Sequence, residues 1–172
     1  MTAPFSHLDA AGEAHMVDVS GKPVTRRVAA ASCFVRLLPE TVARLGALPK
    51  GDAFAVARVA GIQGAKRTGE LVPLAHPLPL DQVEVELVPR DGTDGGPPGV
   101  AIAARVVVTA RTGAELEALA ACAAAALALY DMVKAVDRGA TITDLALDAK
   151  SGGRSGDWRR GTGGAPAGEG GR

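Results

Sequence analysis

The stretch from Gly113 to Asp137, GAELEALAACAAAALALYDMVKAVD, constrains the fold more than any other part of the chain. Leu116, Leu119, Ala120, Ala123, Leu127, Tyr130 and Val133 recur at steps of three and four, the spacing of a helical face. Ala and Leu are strong helix formers, and neither Gly nor Pro interrupts between Ala114 and Arg138. The stretch begins with two carboxylates, Glu115 and Glu117, stays uncharged for 13 residues from Ala118 to Tyr130, and places Asp131 and Lys134 near its end. Asp131 and Lys134 are three apart and so are neighbours on one face. Glu117 stands 14 residues before Asp131, nearly on the same face. At helical rise that is about 21 Å away. One small substrate cannot easily touch both ends of a single copy. Either the ends serve different purposes, or a second subunit brings its own helix alongside. A helix apolar all round its middle favours the second reading, because such a helix is packed on more than one side.

At 172 residues the chain is long enough for one domain with a real core. Its 19 Lys and Arg balance 19 Asp and Glu, so no global field favours nucleic acid or an anionic membrane. Anion recognition, if present, is local. The uncharged run is too short to span a bilayer, and the N-terminus lacks the basic-then-apolar pattern of a signal peptide. Cys33 and Cys122 are far apart and form no CxxC pattern, so neither a disulfide framework nor a zinc site is expected. A reducing cytoplasm is the expected compartment.

Taken in order, Met1 to Ala14 reads as a polar, irregular arm, and Ser20-Gly21-Lys22-Pro23 as a turn. Val24 through Leu37 reads as a first long strand. A short helix starts at Pro39-Glu40-Thr41, with Pro acceptable in a first turn, and breaks between Gly46 and Gly51. A second helical run covers Asp52 to about Glu70, with Asp52 as its N-cap and Phe54, Val56, Val59 and Ile62 as its apolar residues. Pro73, Pro77 and Pro79 forbid a helix in LVPLAHPLPL and hold a stiff, extended loop. Val83, Val85 and Leu87 alternate with Glu84 and Glu86, so Gln82 to Val88 is a half-buried strand. The loop DGTDGGPPG leads to a third strand, Val100 to Thr109; the long helix follows, and Thr141 to Leu147 is the fourth strand. The order β-α-β-β-α-β predicts an α+β, ferredoxin-like fold: an antiparallel sheet with its helices packed on one face. Another α+β sandwich is the alternative. Residues 1–160 are expected to form the single domain. Between 151 and 172 there are nine glycines, so Ser151 to Asp157 reads as a mobile loop and 161–172 as a disordered tail.

Several residues could carry chemistry, each with a plainer reading beside it. A helix pair like Asp131–Lys134 is most often a surface salt bridge. If the uncharged run partly buries it, however, a desolvated lysine beside a carboxylate can move protons near neutrality. His76, between Ala75 and Pro77, reads as an exposed or capping histidine, or as a hydrogen-bond partner held by rigid prolines. Three histidines without metal spacing argue against a histidine metal centre. Lys50, Lys66 and Arg67 read as solvated charge or as phosphate-binding cations. GIQGAKRT misses the phosphate-loop pattern at Ala65 and Arg67, while KSGGRSG, from Lys150, could wrap a phosphate through its amides.

Taken together, AGEAHMVDVSGKP, KGDAFAVARVAGIQGAKRTGELVPLAHPLPL, RTGAELEALAACAAAALALYDMVKAVD and AKSGGRSGDW resemble the cyclic pyranopterin monophosphate synthase family of molybdenum cofactor biosynthesis, from about Phe5 to Arg160. The resemblance implies a lyase that converts 3′,8-cyclo-7,8-dihydro-GTP to cyclic pyranopterin monophosphate and releases pyrophosphate. No electron changes hands in that reaction, and no cofactor is implied. It further implies a ferredoxin-like homohexamer, a trimer of dimers, with sites shared between subunits. By the same resemblance Asp131 matches the active-site acid, Lys134 its neighbouring catalytic lysine and Lys50 another functional lysine. Leu74, Ala75, His76, Leu116 and Glu117 fall on substrate-contacting segments with Glu115 close by, and Arg27, Lys66, Arg67 and Lys150 resemble the triphosphate-binding cations. This sequence departs from the family's usual pattern at Ala75 (for Cys), Leu116 (for Met) and Arg154 (for Lys). A non-catalytic pterin-binding scaffold and a small nucleotide-binding module are the competing readings.

Overall fold

The computed structural model describes residues 12–154 and 156–161. Both the N-terminal arm, apart from its last residues, and the tail beyond Gly161 lie outside the described residues.

The chain forms β1 (Thr25–Arg36), α1 (Pro39–Ala43), a 3₁₀ turn (Leu45–Ala47), α2 (Ala53–Lys66) and α3 (Thr68–Leu71). It continues through β2 (Leu80–Arg90), β3 (Gly99–Ala110), α4 (Glu115–Val133), β4 (Thr141–Ser151) and β5 (Trp158–Arg159). The sheet order is β2-β3-β1-β4-β5, and every neighbouring pair is antiparallel. The first four strands give the expected ferredoxin-like arrangement. The fifth was not legible: β4 runs four residues beyond the expected Leu147, then turns at Gly152 and Gly153 so that Trp158 pairs with Lys150. The expected loop from Ser151 to Asp157 is thus the turn of a hairpin, and Asp157 accepts a hydrogen bond from Gly152 N.

One face of the sheet carries the helices. Ala29, Ala31, Cys33 and Val35 alternate along β1 into that core, as do Val100, Ile102, Ala104, Val106 and Val108 along β3. α4 lies across β1, β3 and β4, while α2 covers β2. By length and composition α4, 19 residues with mean hydropathy 1.7, could cross a membrane, and it exceeds the uncharged run that had seemed too short. Here it is a core helix: Ala118, Ala121, Cys122, Ala125, Ala126 and Leu129 are all fully enclosed.

Small residues bring α2 onto α4. As expected, Asp52 caps α2, accepting from Phe54 N and Ala55 N at 3.0 Å. The residues that pack are Ala53, Ala57, Gly61, Gly64 and Ala65, whereas Val56 and Val59 face outward. A Cβ on Gly61 would stand 3.2 Å from Ala125 Cβ, and one on Gly64 would stand 2.6 Å from Ala124 Cβ. The two helices are therefore antiparallel. Lys50, before α2, falls at the C-terminal end of α4; Lys66 and Arg67, after it, fall at the N-terminal end.

Candidate active site

The C-terminal end of α4 gathers three of the expected residues. Lys134 Nζ lies 2.6 Å from Asp131 Oδ1, a helical turn away. Lys50 Nζ reaches the other carboxylate oxygen at 3.1 Å and donates to the Asp131 carbonyl at 2.6 Å. Hydrogen bonds from Lys134 and then Lys50 hold the Asp131 carboxyl below its usual range. Asp131 in turn raises the Lys134 ammonium above its own. The side chains are 57% and 51% exposed, so in the single chain the pair is the surface salt bridge of the plainer reading rather than a partly buried one. The cause is position: Asp131 lies one helical turn and Lys134 two turns beyond exposed Leu127, on the side of α4 turned away from the sheet.

The N-terminal end holds the second group. Glu115 receives Lys150 Nζ at 3.0 Å, with both side chains about one-third exposed. Leu74, His76, Glu115 and Leu116 line a cavity of about 350 Å³ together with Lys22 and Thr112. His76 reaches this wall from the proline-rich loop between α3 and β2. Ala75 is in the loop but not in the wall; its amide is turned back to Val72 O at 2.9 Å. Glu117 is not in the wall either. It is 3% exposed, and burial, with a smaller push from Glu115, raises its carboxyl to about 7. Fourteen residues leave Glu117 only about 40° around the helix from Asp131, yet Glu117 is enclosed where Asp131 is exposed.

Lys22 also lines an adjoining cavity of about 420 Å³ with Thr25, Arg27, Gly153 and Arg154. Arg27 is held by donating to Ala110 O at 3.2 Å and Arg111 O at 3.0 Å. Gly152 and Gly153 have φ of +85° and +76°, a left-handed backbone that also lets them approach β1 where a Cβ would strike Arg26 O and the Arg27 guanidinium. Thr25 Oγ1 is buried here with no hydrogen-bond partner. An unpartnered hydroxyl among three cations suits an anion with many acceptor oxygens. Lys66 and Arg67 line neither cavity, and Arg67 is paired with Glu70 at 2.9 Å.

Lys22 reads from the sequence as part of a turn, and Arg154 as a substituted cation within the KSGGRSG stretch that could wrap a phosphate; both side chains line this cavity. Composition could not have found them, since a single cation in a Gly-containing turn has no periodic signal. Among the described residues no three His, Cys, Asp or Glu side chains cluster as metal ligands would.

Two groups of candidate side chains thus sit at opposite ends of one helix, in an arrangement that several protein families could share. Comparison with known sequences decides among them. A model of the MoaC family matches residues 16–153. The chain belongs to the MoaC family. Among its relatives, the cyclic pyranopterin monophosphate synthase of Thermomicrobium roseum is 56% identical over 160 residues, covering 92% of this chain and 94% of that protein. That of Dinoroseobacter shibae is 55% identical over 154 residues, 88% of this chain and 95% of its own. Cyclic pyranopterin monophosphate synthase 3 of Mycobacterium tuberculosis is 54% identical over 158 residues, 91% of this chain and 86% of its own. The span matched by the MoaC model takes in both ends of α4, Lys50, His76 and Lys150.

Proposed function

We propose that the two ends of α4 form one catalytic site only when two copies of the chain meet. The activity is that of a cyclic pyranopterin monophosphate synthase, a lyase of molybdenum cofactor biosynthesis. Its substrate is 3′,8-cyclo-7,8-dihydro-GTP, which is rearranged to cyclic pyranopterin monophosphate with loss of pyrophosphate.

The observation that carries the shared site is the separation within α4. Glu115 and Asp131 are 16 residues apart on one straight helix, about 24 Å at helical rise. The exposed face between them is apolar, with Leu116 41% and Leu127 61% exposed. A second copy laid antiparallel on this face sets its Asp131 end beside the first copy's Glu115 end, and two-fold symmetry then makes two equal sites. The same closure removes water from Asp131 and Lys134, the step that brings a lysine toward neutrality and lets it exchange a proton.

Within that site the cavity of His76, Glu115 and Leu116 takes the pterin-forming part of the substrate, and the cavity of Lys22, Arg27 and Arg154 takes the triphosphate. Thr25 Oγ1 supports this division, because it offers a donor that the chain itself leaves unused. Lys150 is paired with Glu115 in the wall of the first cavity. Lys134 and Asp131 transfer the protons of ring opening and pyran closure. The cations stabilise the pyrophosphate as a sugar hydroxyl attacks the α-phosphorus and the α–β bridging bond breaks. The open face of the sheet, where Phe34, Val88 and Ala101 line a surface hollow, gives a hexamer its further contact surface. Two buried free thiols, Cys33 and Cys122, suit a reducing cytoplasm.

Pyrophosphate release from enzymatically prepared 3′,8-cyclo-7,8-dihydro-GTP tests the reaction, with Asp131→Asn as control. Mixing inactive Lys134→Ala with inactive Glu115→Gln tests the sharing. Random reassociation restores about a quarter of wild-type activity if each site draws on two copies. No recovery in confirmed mixed oligomers defeats the shared site; binding without release in the wild type leaves a pterin-binding scaffold.

A further inference from the structure

The carboxylate of Asp137 plays no part in the site as described, yet it is 2% exposed. A buried carboxylate is costly unless hydrogen-bonded, so its position is tied to its donors. One donor is Leu38 N, at 2.7 Å, across 99 residues of chain. Asp137 itself is fixed to the end of α4, its amide donating to Val133 O at 2.9 Å.

Leu38 is the N-cap of α1 and has no side chain able to cap it. From Leu38 the chain runs through α1 and the 3₁₀ turn, buries Leu45 and Leu48, and arrives at Lys50. Lys50 then touches the same helix that Asp137 follows, at Asp131. The excursion 38–50 is therefore a loop pinned to the end of α4 at both ends: by Asp137 at its start and by Lys50 at its finish. The first pin is enclosed and the second is exposed to solvent. An exposed ion pair is too weak to order the thirteen residues 38–50; the enclosed carboxylate, with the two leucines, is the stronger restraint.

We infer that Asp137 is a positioning residue that clamps the β1–α1 corner to the end of α4 and thereby holds Lys50 against Asp131. This rests on the proposed roles of Lys50, Asp131 and Lys134. Arg36 and Arg138 line the cavity beside Asp137 and are exposed, so they screen its charge without replacing its hydrogen bond.

The clamp can be cut from either side. Asp137→Ala removes the acceptor. Leu38→Pro removes only the donor, and the backbone there already has φ −68° and ψ 147°, which proline and a following proline both accept. Each variant should lower kcat about tenfold with KM nearly unchanged, since displacement of a catalytic group acts on the chemical step. The double variant should lose no more than either single one, and Asp137→Asn, which keeps an acceptor, should recover most of the activity. A second readout does not depend on turnover: the Asp131 carboxyl resonance in ¹³C-aspartate-labelled protein. Its titration midpoint should rise in Lys50→Met, and Asp137→Ala and Leu38→Pro should reproduce that rise. The proposal is overturned if the midpoint moves in Lys50→Met alone, or if the two single losses in kcat multiply. It is equally overturned if folded Asp137→Ala loses thermal stability with kcat unchanged. Absence of turnover in the wild type defeats the assigned reaction and leaves the resonance to decide the clamp.

Discussion

At the N-terminal end of α4 an acid is taken out of water, whereas at the C-terminal end an acid stays in water between two cations. Glu117 is enclosed and burial pushes its carboxyl up to about 7; Asp131 is exposed, and Lys134 and Lys50 hold its carboxyl down. Both residues belong to one helix, so neither helical propensity nor residue type separates them. Their surroundings do: desolvation acts on Glu117, and direct hydrogen bonds act on Asp131. A proton carrier near neutrality is thus already present in the single chain at one end, and at the other it has to be made by excluding water.

The largest expected effect tests whether the exposed end is catalytic at all. Lys134→Ala should lower pyrophosphate release by about 10²–10⁴-fold, the usual worth of a positioned acid or base, with folding and assembly intact. Undiminished turnover would remove Lys134 from the chemistry and leave Asp131–Lys134 as the surface salt bridge that its spacing first suggests.

The second prediction concerns Glu117. Its folded-state value lies above the ordinary 4.5, so its contribution to stability is complete below that pH and is lost as pH rises through about 7. The loss approaches about 3 kcal/mol when the carboxyl is ionised in both states. Denaturation midpoints between pH 4 and 8 should therefore fall less steeply for Glu117→Gln than for the parent chain. Equal slopes would mean that a neighbouring cation, supplied on assembly, already neutralises Glu117.

Most of the fold was legible because the strongest signals were periodic. The three-and-four spacing gave α4, alternation gave β2, and Asp52 capped α2 where expected. Failures came where periodicity says nothing about size or partners. On α2 the large residues Val56 and Val59 are outside and the small ones inside, because close approach to α4 favours Ala and Gly over bulk. β5 has two residues and no alternation to read. Within the site, spacing alone set Lys134 beside Asp131, whereas Lys50, 81 residues from Asp131, joins them as a resemblance could suggest but spacing could not. Lys22 gave no signal of its own, because a turn that serves a cavity looks like any other turn.

The arrival of Lys50 at the C-terminal end of α4 also depends on α2 lying flat on α4, which Gly64 permits. An alanine there would put its Cβ 2.6 Å from Ala124 Cβ and 2.7 Å from the Ala120 carbonyl oxygen. Backbone cannot yield as a flexible side chain does, so Gly64→Ala should cost about 1–3 kcal/mol in chemical denaturation. A neutral or stabilising result, as Gly→Ala gives in an open helix, would show that the helices are free to separate.

The smallest effect is expected at Ala75, the position where this sequence most plainly departs from the family's usual cysteine. Leu74 and His76 line the cavity on either side of it, but Ala75 itself does not. What the loop requires of this residue is its amide, donated to Val72 O, and every residue but proline supplies that. Ala75→Cys should therefore change kcat and KM by less than about twofold, within the range of substitutions away from packed or paired groups. A larger gain would place a partner subunit's atoms against Ala75 in the assembly. That would extend the shared site from the exposed face of α4 to the proline loop, and the two ends of the helix would then differ in how many copies each draws upon.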